Sequence, residues 1–197
     1  MHLDPHDHEV VAAAVDRLLP PDPARGAPGA RAAGVADYVD GVLGAFDVDP
    51  PRLFAGGPFS GRHGGAAGFD RFLPLGRVEE LAWRTRIEGS QGIAEREVNG
   101  PVVGWQERYR EGIAALGADF AAVDGEEQDR RLDLDPSFKA LLFEHACEGL
   151  YADPAYGGNR DGMGWRSIGY AGDAAPRGWT DDEVRGPAVR GPSGGAG

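Results

Sequence analysis

Glycine and proline interrupt this chain so often that regular structure can form only in short pieces. There are 32 glycines and 15 prolines among 197 residues, just under the share at which sequences turn low-complexity. The breakers concentrate in 47–76, in 89–101 and after Tyr151. Between them, apolar residues recur with the 3.6-residue period of a helix. That spacing predicts helices over 8–19, 30–46, 77–87, 102–123, 126–132 and 136–150. Asp7 is placed to cap the first, and Pro20-Pro21 stops it. In the third, Val78, Leu81 and Ala82 are expected to face inward. In the fourth, Val102, Trp105, Tyr109, Ile113, Leu116, Phe120 and Val123 form one stripe. Asp135-Pro136 opens the last with an N-cap and a proline at the first helical position. That helix is apolar on two faces, Phe138, Leu141, Leu142 and His145 on one, Phe143, Cys147 and Leu150 on the other, and so is expected at the centre. No period-2 strand pattern and no internal repeat is present. The expected fold is mostly α: a small helical domain of about five to six helices, long irregular Gly/Pro-rich loops and an extended C-terminal segment. Residues 1–7 are expected to be a flexible start, 8–180 a single domain and 181–197 a disordered tail.

Several functions are excluded at this level. No run of about 18 apolar residues exists to span a membrane. A single cysteine, Cys147, excludes a disulfide framework and a cysteine-based zinc site. A net charge of −12 argues against nucleic acid, whose phosphates call for a basic surface. Lys139 is the sole lysine. The start, Met1-His2-Leu3-Asp4-Pro5, lacks a basic region followed by an apolar one. As it stands the chain reads as cytoplasmic, or as periplasmic or membrane-associated if exported with a partner.

Two irregular segments carry large side chains. The first, with Phe54, Phe59, Phe69 and Phe72 among glycines, is expected to pack its rings on a surface of this chain or another. The second holds Tyr156, Gly157, Gly158, Asn159, Arg160, Asp161, Trp165, Arg166 and Tyr170. Trp, Tyr and Arg are the residue types enriched where proteins meet. Such a segment either covers a partner or folds back over its own helices. Arg160 has Asp161 or Asp153 as internal partners, or a carboxylate on another chain.

The run Asp153-Pro154-Ala155-Tyr156-Gly157-Gly158-Asn159-Arg160-Asp161, followed by Gly164-Trp165-Arg166 and Gly169-Tyr170, resembles the signature of the gluconate 2-dehydrogenase subunit 3 family. Leu18-Leu19-Pro20-Pro21-Asp22, Gly34-Val35-Ala36-Asp37-Tyr38-Val39 and Tyr109-Arg110-Glu111-Gly112 are similar to its weaker helical blocks. The resemblance spans roughly 8–180. It implies a non-catalytic small subunit that accompanies an FAD-dependent large subunit of the glucose-methanol-choline type. That large subunit oxidises a sugar, sugar acid or alcohol, often with a cytochrome c subunit taking the electrons. FAD and catalytic groups are implied on the partner, so no cofactor, metal or catalytic residue is expected on this chain. The family's role in twin-arginine export has no matching leader motif here.

The residues themselves offer little independent chemistry. Gly56, Gly57 and Gly61 lack the strand–turn–helix context of a dinucleotide site. His145 and Cys147 lie two apart, so a helix directs them to different sides. His145 then reads as a core histidine, Cys147 as a small hydrophobe. His2, Asp4, His6, Asp7 and His8 read as a terminal cluster without a supported metal site. Glu79-Glu80, Glu126-Glu127 and Asp181-Asp182-Glu183 read as solvated faces and caps. The competing function is a stand-alone helical enzyme or ligand binder, its pocket between the 136–150 helix and the 157–172 loop.

Overall fold

Proline at the first helical position opens both of the helices on which the rest of the chain packs. A computed structural model describes residues 2–53, 58–59 and 71–170. Its α-helices are α1 (Pro5–Leu18), α2 (Val35–Leu43), α3 (Arg77–Glu88), α4 (Trp105–Leu116), α5 (Gly125–Asp133), α6 (Pro136–Tyr151) and α7 (Met163–Ser167). The mostly α expectation holds. The described residues add an antiparallel pairing of β1 (Pro58–Phe59) with β2 (Arg71–Phe72), two residues each.

α1 begins earlier than the sequence suggests. Asp4, not Asp7, is the cap, and its side chain accepts from the His6 and Asp7 amides. The preceding residues are also tied down: Asp40 Oδ1 accepts from the amides of His2 and Leu3, both at 2.7 Å. Leu3 is buried, so the expected flexible start is instead docked on α2. Val10 through Val15 are buried without a break. That is possible because three of the six are alanines, small enough for neighbours to approach from every side.

α6 packs against α1, α2, α4, α5 and α7, yet it is not enveloped. Phe138, Leu141, Leu142, His145, Ala146, Gly149 and Leu150 face inward. The second apolar face is split: Phe143 is 47% exposed and Cys147 half-buried, while Leu150 is buried.

Two further helix boundaries and one face depart from the periodic reading. α2 is preceded by a turn because Gly34 sits at φ +74, which a helix cannot continue through. α4 stops at Leu116, where Gly117 at φ +89 turns the chain. Phe120 still reaches the core, from a 3-10 turn at Phe120–Ala122. In α3, Val78 is 78% exposed, and the inward face is Trp83 and Ile87 instead. The described part of the C-terminal segment, residues 152–170, is wound rather than extended. It forms 3-10 turns at Pro154–Tyr156 and Arg160–Gly162, then α7.

Candidate functional site

The segment that carries the sequence motif closes on α6 and α2 through backbone contacts that only glycine permits. A Cβ on Gly158 would stand 2.1 Å from the Gly149 carbonyl oxygen. One on Gly164 would stand 1.9 Å from that of Leu150. Between them Asn159 is fully buried at φ +46, a left-handed conformation that asparagine tolerates better than most residues. Its Nδ2 donates to the Ala152 carbonyl and its Oδ1 accepts from the Gly164 amide, both at 2.8 Å. One side chain thus joins the end of α6 to the start of α7. Gly157 turns the chain at φ +106 beside Asp37.

The polar residues of the motif divide between holding the clasp and facing water. Arg160 does not settle on Asp161. Its backbone amide donates to the Ala33 carbonyl at 2.9 Å, and its Nη2 reaches Asp37 Oδ2 at 2.8 Å. His8 Nε2 meets the other oxygen of Asp37 at 3.0 Å. The N-terminal, second and C-terminal segments therefore converge on one carboxylate. Arg166 Nη1 donates to the Asp161 carbonyl, and the Trp165 indole N–H donates to the Tyr151 carbonyl at 2.7 Å. Trp165 and Tyr170 meet edge to face at 5.2 Å. Arg160, Asp161 and Tyr170 remain largely exposed, as does Ile168. Phe54 lies outside the described residues, and Phe59 is known here only as part of β1.

A cavity of about 480 Å³ lies among α2, α3, α4 and α6. It is not where the sequence places a pocket, since no described residue of the 157–172 loop lines it; C-terminal to α6 only Ala152 and Tyr156 do. Tyr38, Trp83 and Trp105 form aromatic walls, with Cys147, Glu148 and Tyr151 on the α6 side. Glu148 accepts from the Tyr38 hydroxyl at 2.7 Å. Burial, reinforced by that carboxylate, pushes the Tyr38 phenol far up. Tyr156 is pushed up to about 12, chiefly by burial. The Cys147 thiol is raised by burial and by Glu148, so it stays protonated and is a poor nucleophile.

Behind the cavity, His145 is fully buried. Its Nδ1 shares a 2.9 Å hydrogen bond with the Tyr109 hydroxyl, and Trp105 meets its ring edge to face at 4.5 Å. Nε2 has no hydrogen-bond partner. Burial, with Arg108 and Arg86 adding repulsion, lowers its pKa to about 4. The histidine is therefore a neutral core member, as its helical position suggests. A free imidazole titrates near 6.5, so between about 6.5 and 4 the unfolded chain binds the extra proton. Stability must fall as pH drops through that range, by up to roughly 3 kcal/mol from this residue. Urea midpoints from pH 7.5 to 4.5 should fall more for the native chain than for His145→Gln. Equal slopes would show that His145 is not the group responsible.

Among the described residues no three His, Cys, Asp or Glu side chains are placed to hold a metal ion. No helix among them is long and apolar enough to cross a membrane. Sequence reasoning missed the cavity because its walls come from four separate helices. The signals were Trp83 and Trp105, on the adjoining helices α3 and α4.

Fold and clasp together define a small helical protein whose C-terminal glycine segment is built into the core. The chain belongs to the gluconate 2-dehydrogenase subunit 3 family, whose model matches residues 5–172. Comparison with curated proteins and with solved structures finds no match.

Proposed function

We propose that this chain is the non-catalytic small subunit of a flavoprotein dehydrogenase complex. It binds and stabilises an FAD-containing large subunit of the glucose-methanol-choline type, which oxidises a sugar, sugar acid or alcohol. Family membership over 5–172 is the observation that carries this reading. The apolar and aromatic groups exposed on α6 and beyond α7, Phe143, Tyr151, Ile168 and Tyr170, add to it, because such groups are enriched at interfaces. Binding only the folded partner would stabilise it by mass action. FAD, the catalytic groups and any cytochrome c electron acceptor belong to other chains in this reading. If the complex is exported, this subunit travels with it.

The test is affinity capture of the tagged chain from its native host, with mass spectrometry and a flavin absorbance scan. A yellow eluate containing a glucose-methanol-choline flavoprotein is expected. A colourless eluate without one would overturn the proposal. Interface and clasp can be separated by substitution. Arg160→Ala removes an exposed ion pair with Asp37 and should cost at most about 1 kcal/mol of stability. Ile168→Glu, at a side chain 61% exposed, should leave the urea midpoint of the isolated chain nearly unchanged but sharply reduce flavoprotein recovery. Undiminished recovery would place the interface elsewhere.

A further inference from the structure

The aromatic cavity has a charge arrangement that the clasp does not explain. Trp83 and Trp105 meet edge to face at 6.1 Å, and both line the cavity. The Arg86 guanidinium stands 5.5 Å from the centre of each indole, held there by both. Arg86 lines the cavity, and so does Arg52.

These two arginines differ from the others. Arg17, Arg31, Arg84, Arg96, Arg130, Arg131 and Arg160 each pair with a carboxylate at 2.9 Å or less. Arg25, Arg77 and Arg110 have one within 3.7 Å. Arg108 and Arg166 donate to oxygens of Ser137 and Asp161. Among the described side chains, Arg52 and Arg86 are left without an oxygen acceptor. In a chain with 32 acidic and 20 basic residues, cations without acceptors are the scarcer kind, and both sit on one cavity. Glu144 and Glu148 line the same cavity, but neither forms an ion pair with these arginines, and Glu148 accepts from the Tyr38 hydroxyl.

We propose that this cavity binds a flat aromatic carboxylate, its ring against Trp83 and Trp105 and its carboxylate on Arg86 and Arg52. About 480 Å³ falls within the range of small-molecule sites, at the size of one or two fused rings. The protonated Cys147 thiol contributes apolar contact, and neutral His145 behind Trp105 keeps the floor uncharged. The site consists only of this chain's own residues and is independent of any subunit role.

The test is calorimetric titration of the full chain with 2-naphthoate, beside the neutral 2-naphthalenemethanol and the non-planar cyclohexanecarboxylate. Naphthoate should bind one to one, and each comparison compound at least about tenfold more weakly. The variant carrying Arg52→Gln and Arg86→Gln should lose about tenfold or more for naphthoate and change little for the alcohol. Both arginines are exposed, so this variant should fold, which circular dichroism checks. Absence of saturable naphthoate binding below about 1 mM would overturn the proposal. Equal binding of acid and alcohol, or indifference to the arginine changes, would overturn it as well.

Discussion

Gly164→Ala should cost the chain about 3 kcal/mol or more of unfolding free energy. The added methyl would stand 1.9 Å from the Leu150 carbonyl oxygen and 3.2 Å from Asn159 Oδ1. The first of these is backbone in the middle of the protein and cannot swing aside. Relief therefore requires α7 to lift off α6, which breaks the Gly164–Asn159 and Trp165–Tyr151 hydrogen bonds together. Gly158→Ala meets the Gly149 carbonyl in the same way, at 2.1 Å, and should behave alike. Gly169→Ala is the contrasting control. Unlike Gly158 and Gly164 it has a positive φ, +72, but nothing lies within 4 Å of an added methyl. Its cost should be only that of a left-handed backbone, about 1–2 kcal/mol. Urea unfolding of the three variants decides the matter. Similar losses at Gly164 and Gly169 would show that close backbone approach is not what the glycines provide.

Asn159→Ala should be nearly as damaging, by about 2–4 kcal/mol. It leaves the Ala152 carbonyl and the Gly164 amide without their partner inside the protein and puts alanine at φ +46. Asn159→Asp separates the two bonds. An aspartate still accepts from Gly164 but faces the Ala152 carbonyl as an anion. Burial beside an acceptor raises a carboxyl's folded-state pKa above its unfolded value. The resulting penalty is present at neutral pH and relieved as pH falls, when the protonated acid can donate to Ala152. The difference between this variant and the native chain should therefore shrink on going from pH 7 to pH 5. A constant or growing difference would mean that the Ala152 bond contributes little.

Much of the helical framework could be read from spacing alone. Asp135-Pro136 marked α6 at its first residue, and the run from Trp105 to Leu116 keeps one face. Boundaries failed where a single glycine decided them, as at Gly34 and Gly117, because periodicity does not register φ. The face of α3 was misread because Val78, Leu81 and Ala82 look more apolar than Trp83 and Ile87 look periodic. Asn159 was legible as a residue able to take unusual backbone angles, but not as a buried strut. Its burial depends on Gly149, Gly158 and Gly164 meeting in space. The ion pair of Arg160 was equally hidden, since Asp37 lies 123 residues away and nearer carboxylates competed for the assignment.

The Asp37 junction also bears on the order in which this chain can be finished on the ribosome. α1 and α2 emerge early, yet Ala33 and Asp37 receive Arg160 only after nearly all the described chain has been made. Until then the first helices hold their core face against a C-terminal third that does not yet exist. Native closure is thus a late, long-range step of the kind that slows folding. The newborn chain has an interval in which α1 and α2 lie open to chaperones and to any partner already waiting.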